Sequence, residues 1–168
     1  MKILILTAIM IICLILTVQS IKQIKNHTKA VRLCVMMLEN IEMLLEHRNL
    51  SIDAIFDYLK NNGNFKKLNF VEIFIDEMSI KNDYELAISK ALSYEKSDNL
   101  DKADLELLKG YFSIMGKTDL QGQISNCRLY KEFFKQKLKR LESEENMKCK
   151  STGTFIVGAG VLVILVII

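Results

Sequence analysis

Two runs without a single charge set the limits of what this chain can be. Ile3 to Val18 reads ILILTAIMIICLILTV, and Thr152 to Ile168 reads TGTFIVGAGVLVILVII. A helix that spans the hydrocarbon of a bilayer needs about 20 apolar residues, with a range of roughly 17–25. With their polar flanks both runs reach that length, and the second has no soluble core into which it would pack. The sequence therefore reads as a membrane helix over residues 1–18, a domain over 19–151 and a second membrane helix over 152–168. Lys22, Lys25, Lys29 and Arg32 follow the first run with no acid before Glu39, and Lys148 and Lys150 precede the second. Lys2 is the one charged residue on the far side of either run. The positive-inside rule then places both flanks, and the domain between them, in the cytoplasm. The first run also has the layout of a secretory signal ending at Val18-Gln19-Ser20. Cleavage there would export the domain and leave it held by the second run alone.

The 168 residues include no proline and seven glycines. Proline breaks helix interiors and removes a ladder hydrogen bond from a sheet, so its absence favours long uninterrupted helices. Apolar residues keep a helical period along the domain. Ile24, Val31, Cys34, Leu38, Ile41 and Leu45 form one seam, and Leu120, Ile124, Cys127, Phe134, Leu138 and Leu141 form another. Shorter helices are predicted between them, starting after Asn49 or Ser51, at Asn69, at Asn82 and after one of Ser97, Asp98 or Asp101. Asn69 with Glu72 and Asn82 with Glu85 have the spacing of a capping box, although that box prefers Ser or Thr. NFVEIFI, residues 69–75, also suits a short strand by its β-branched and aromatic content, but no partner strand is recognisable elsewhere. The fold class is all-α: an antiparallel bundle of about six helices, with a membrane helix at each end.

Charge is spread unevenly. Residues 19–38 carry four bases and no acids, residues 39–119 ten bases and sixteen acids, and residues 120–151 eight bases and four acids. Basic ends and an acidic middle suit a domain whose ends lie near anionic headgroups, where each Lys or Arg contributes ~1 kcal/mol. The overall excess of +3 gives little support to nucleic-acid binding. Of the four cysteines, Cys13 lies in the first apolar run and Cys34 and Cys127 in helical seams, which leaves Cys149 as the exposed thiol.

GYFSIMGKTDLQGQ, residues 110–123, ends in the Gly-Lys-Thr of a phosphate-binding loop. That loop needs four residues between its glycines and a strand before the first. Five separate Gly110 from Gly116, and a helical pattern precedes them. The stretch reads instead as a helix stop followed by a helix start. Gly116 suits the left-handed position just past a helix, and Thr118 or Asp119 suits the cap of the next one. Thr118 with Gln121 has the capping-box spacing.

This turn, with Gly122-Gln123 behind it, a long basic helix and a glycine-containing apolar run, resembles the stage III sporulation protein AB family over the whole chain. The turn residues carrying the resemblance are Gly116, Thr118, Asp119 and Gln123; the chain departs from the family pattern in lacking a proline near the second helix. The resemblance implies similarity to the cytoplasmic helical domain of inner-membrane platform proteins of type II secretion and type IV pilus machines. It further implies a mother-cell membrane protein, facing the forespore, that recruits a secretion-type ATPase to a channel complex. Nucleotide chemistry would then belong to the partner.

No catalytic, cofactor or metal constellation stands out. His27 and His47 are twenty residues apart and read as surface residues. The acidic residues Asp76, Glu77, Asp98, Asp101, Asp104 and Glu106 read as a solvated face, and as the candidate docking surface for an ATPase because they lie far along the chain from both apolar runs.

Overall fold

In the computed structural model, residues 2–48, 50–81, 83–94 and 99–167 are described. Two long helices dominate: α1, Lys2–Arg48, and the last helix, Leu120–Ile167. At ~1.5 Å per residue each is roughly 70 Å long. Between them lie α2 (Ile52–Asn61), a single 3₁₀ turn (Phe65–Lys67), α3 (Asn69–Lys81), α4 (Tyr84–Ser93) and α5 (Lys102–Ile114), so the last helix is α6. Among the described residues there is no strand, and NFVEIFI is helical throughout. Phe70, Val71, Phe74 and Ile75 are all buried, so this segment uses both flanks of a helix face rather than alternate residues of a strand.

Charge fixes how α1 and α6 lie together. Arg128 of α6 pairs with Glu42 at 2.8 Å and with Glu46, Lys131 pairs with Glu42, and Lys135 pairs with Glu39 at 2.9 Å. Further along, the signs exchange helices: Arg32 of α1 meets Glu142 of α6 at 2.6 Å. As the numbering rises on α6 it falls on α1, so the pair is antiparallel. A parallel pairing would set the basic start of α1 against the bases of α6. Burial raises the pKa of Glu42, but hydrogen bonds from Lys131 and Arg128 and their charges outweigh it and hold the carboxyl below its ordinary value.

The predicted seams form the interface. Val31, Cys34, Leu38 and Ile41 are fully buried, as are Cys127 and Phe134, with Leu45, Ile124 and Leu141 nearly so. Leu120 departs from expectation: as the first residue of α6 it stays exposed. Cys127 donates its thiol to the Leu38 carbonyl at 3.2 Å, and burial pushes the thiol up to about 11, so it is protonated at neutral pH.

The short helices start at caps that partly differ from those predicted. Ser51 caps α2 by accepting the Ala54 N–H. Asn69 is the first residue of α3 and not its cap. Asp83 caps α4, accepting from Glu85 and Leu86, one residue after Asn82, which lies outside the described residues. Asp101 caps α5. Helix α3 packs on α4 and α4 on α5, and a run of rings from Phe56 of α2 through Phe74 of α3 and Phe112 and Tyr111 of α5 to Tyr130 of α6 links the other helices.

Among the described residues no helix is long and apolar enough to cross a membrane. The side chains of residues 1–10 and 153–168, which make up most of both charge-free runs, lie outside the described residues.

Candidate functional site

A polar cluster built around the buried Asp104 ties three helices together. It begins as a cap. Asp101 accepts the Asp104 N–H at 2.9 Å, and Asp104 Oδ2 accepts the Asp101 N–H at 2.9 Å, a reciprocal box built from two aspartates. Asp104 then does more than cap. Its Oδ2 lies 2.6 Å from His27 Nε2 on α1, and its Oδ1 lies 2.6 Å from Lys137 Nζ on α6. The Oδ1 contact has the geometry of an ion pair and not of a hydrogen bond. Lys137 also reaches both oxygens of Asp101, at 2.7 and 2.8 Å. Asp104 is fully buried and the Lys137 side chain is 9% exposed. A carboxylate offers only acceptors, so the His27 Nε2 facing it carries the hydrogen.

Ligand atoms of His27, Asp101 and Asp104 lie within 4.8 Å of one another, the spread of a metal site. The Lys137 ammonium occupies the space between the two carboxylates and supplies the charge a cation would bring. The arrangement is thus a latch between α1, α5 and α6, in which one ammonium bridges two carboxylates.

Asp101 carries a pH signature of this latch. Burial would raise its pKa; the Lys137 ammonium, the Asp104 N–H and His27 outweigh that and hold the carboxyl at about 2, against an ordinary 3.8. A carboxyl depressed by folding stabilises the fold above its unfolded pKa and loses that contribution as pH falls. We therefore expect the Asp101 contribution to be complete above pH 3.8 and lost on descending through pH 2. In an acid titration followed by circular dichroism, Asp101→Asn should be destabilised relative to the parent at pH 6, and the gap should shrink toward pH 2. A gap independent of pH would remove the assignment.

The turn between α5 and α6 lies at the opposite end of α5. Met115 ends α5, and Gly116 follows with φ +78°, a left-handed conformation that L side chains rarely adopt. A Cβ there would also come within 3.3 Å of the Tyr84 ring at the start of α4. Of the two predicted caps Asp119 is the one used, its Oδ1 accepting the Gly122 N–H at 3.0 Å. Gln123 also reaches back over the turn, its amide donating to the Thr118 carbonyl at 3.2 Å. A Cβ on Gly122 would sit 2.8 Å from Thr118 Cβ and 2.9 Å from the capping oxygen, so the cap requires glycine three residues on. Asp119→Ala should cost about 1 kcal/mol, read as a lower thermal midpoint; an unchanged midpoint would show that the cap contributes nothing.

The six acidic residues predicted as one docking face are divided by the fold. Asp101 and Asp104 are held by Lys137 and His27. Asp76 pairs with Lys60 at 2.7 Å and Glu77 with Lys90 at 2.5 Å, on the α2–α3–α4 side. Glu106 is exposed on α5, and Asp98 lies outside the described residues. Distance along the chain misled the prediction, because α5 folds back until its first turn meets His27. His27 is therefore partly buried against Asp104, whereas His47 is exposed.

The basic residues gather where α1 and α6 run together. Lys22, Lys25, Lys29 and Arg32 are exposed on α1, and Lys148 and Lys150 on α6. Lys148 Nζ lies 3.4 Å from Ser20 Oγ, so the two charge-free runs depart from the bundle at the same end.

Comparison with known proteins adds one result. The family model described as stage III sporulation protein AB matches residues 2–168. No curated protein and no solved structure matches the chain. With essentially its whole length covered, the chain belongs to the stage III sporulation protein AB family.

Proposed function

We propose that this protein is a membrane-anchored platform subunit of a secretion-like channel complex, recruiting a cytoplasmic secretion-type ATPase. Its family membership carries a role in stage III of sporulation. The observation that carries the platform reading is the shared exit of α1 and α6. Ser20 and Lys148 meet across the pair, both helices continue into charge-free sequence, and a collar of exposed bases surrounds that end. Such a collar suits an anionic leaflet, since each base contributes ~1 kcal/mol there. The domain would then stand in the mother-cell cytoplasm with its α5–α6 turn pointing away from the lipid.

Docking falls to residues the latch does not consume. Asp76 and Glu106 remain exposed and serve as the acidic contacts for the ATPase. Asp101 and Asp104 act inside the domain. This reading needs no catalysis, cofactor or small-molecule substrate of the chain itself.

Intact mass of the protein extracted from sporulating-cell membranes tests the anchor. Retention of Met1 to Ser20 is expected, and loss of those residues would mean export of the domain. For the partner, Asp76→Lys combined with Glu106→Lys should weaken capture of the ATPase. Unaltered capture would sink that docking placement and leave the anchor standing.

A further inference from the structure

Helix α6 has a second seam, on the face turned away from α1. Leu129, Phe133, Gln136, Arg140, Ser143 and Met147 recur at steps of four, three, four, three and four, and all six are exposed. Leu129 is 51% exposed, Phe133 42% and Met147 61%. Alternating steps of three and four are the period of a two-stranded coiled coil, whose apolar residues enter the facing helix as knobs into holes. The inner seam of α6, from Ile124 to Leu141, is already buried against the domain. The outer one is a strip of the same spacing, exposed at all six positions, where Phe133 meets the Tyr130 ring and Arg140 its own Glu144, both along α6 itself.

We infer that this strip receives a second copy of the chain, packed parallel along α6. Charge selects the occupant. In a parallel pair, the residue just before each Phe133-type position approaches the residue five further along the other helix. Glu132 then meets the partner's Lys137, and Lys139 meets the partner's Glu144. Both pairs are opposite in sign, and the two-fold axis repeats each of them. Lys137 is committed to Asp101 and Asp104 within its own chain, so the Lys139–Glu144 pair carries more of the selection. It also lies beyond Lys137, where the start of α5 contacts α6, leaving the strip from Arg140 to Met147 clear of α5. Arg140 sits at an inward position of the seam, 3.8 Å from its own Glu144. Gln136 and Ser143 are polar at inward positions as well, and polar residues there cost stability while fixing register and the number of strands. The inference stands apart from the platform reading, since neither the spacing nor the charges depend on a membrane.

The test uses the full-length chain in detergent, with the exposed Cys13 and Cys149 changed to serine and the buried Cys34 and Cys127 kept. Gln136→Cys and Ser143→Cys are introduced one at a time on the strip. Leu86→Cys, on the exposed face of α4, is the control. Mild oxidation should give a disulfide-linked dimer at both strip positions and none at Leu86. Linkage at neither strip position overturns the surface, and linkage at one alone overturns the parallel arrangement. Sedimentation supplies an independent reading. Lys139→Glu should raise the dimer dissociation constant about ten-fold, and adding Glu144→Lys should restore it. A double variant as weak as the single one overturns the charge pairing.

Discussion

Asp104→Ala should lower the stability of the domain by about 3–5 kcal/mol, the loss expected when one partner of a buried ion pair is removed and the other stays. Three contacts go at once. The Lys137 ammonium loses a carboxylate 2.6 Å away, His27 loses its acceptor at 2.6 Å, and the Asp101 N–H at the start of α5 loses the oxygen that capped it. Asp101 remains within 2.8 Å of Lys137 and, being half exposed, softens the loss toward the lower end of the range. The same physics distinguishes a cost of desolvation from a net benefit of pairing. Replacing both members by apolar residues of similar volume is often neutral, but Asp104→Leu with Lys137→Met still leaves the His27 and Asp101 N–H groups without that acceptor, so it should recover only the part of the loss that comes from the stranded ammonium. Thermal and urea unfolding of the detergent-solubilised chain, followed by circular dichroism, measures both variants. A loss below about 1 kcal/mol for Asp104→Ala would place it with ordinary surface substitutions and remove the latch.

The latch was written in the sequence in a form that is easy to pass over. Asp104 stands four residues before Leu108 and seven before Tyr111, on the buried face of α5. Lys137 stands three after Phe134 and four before Leu141, and His27 three after Ile24 and four before Val31. Each is a polar residue at an apolar position of its helix. Periodicity marks such a residue as turned inward but does not name its partner, because that depends on how α5 lies across α1 and α6. The α1–α6 pair was legible for the opposite reason. Both seams have many apolar members, and burial of one long seam against another leaves few alternatives. Charge blocks were legible too, yet their first reading was incomplete: Arg32 faces Glu142 as well as the basic end of the domain. The α5–α6 turn lay between these cases. Gly116 was readable from the steric demand of a left-handed residue, whereas the choice of Asp119 over Thr118 turned on Gly122, whose missing Cβ leaves room for the capping carboxylate. Individual caps depend on such single-atom clearances, which residue spacing does not encode.

Phe112→Ala should cost about 3–5 kcal/mol, the range for removing a buried aromatic ring. Phe112 is 1% exposed and lies where the short helices meet. Its ring centroid is 4.7 Å from Phe74, 5.2 Å from Tyr111 and 6.1 Å from Phe70, the last edge-on. Phe74 in turn stands edge-on to Phe56 of α2 at 5.1 Å. One ring thus joins α5 to α3, and through α3 to α2. Edge-on and tilted pairs add about 0.5–1.5 kcal/mol each beyond the area they bury, and the cavity left by the ring cannot be filled from α1 or α6, which are held by their own seams and ion pairs. Phe112→Leu keeps much of the apolar volume while losing the ring contacts, and should cost roughly 1–2 kcal/mol. Leu86→Ala, on the exposed side of α4, should stay within about 0.5 kcal/mol. The location of the damage separates this prediction from a general loss of stability. Helices that depend on the ring cluster should open before those that do not, so amides of α2, α3 and α4 should lose hydrogen-exchange protection in Phe112→Ala while the Leu38 to Leu45 stretch of α1 keeps most of its own. Equal loss in both layers would mean that the α1–α6 pair does not stand without the short helices packed on it, and that the charge ladder along it orients the two helices without holding them.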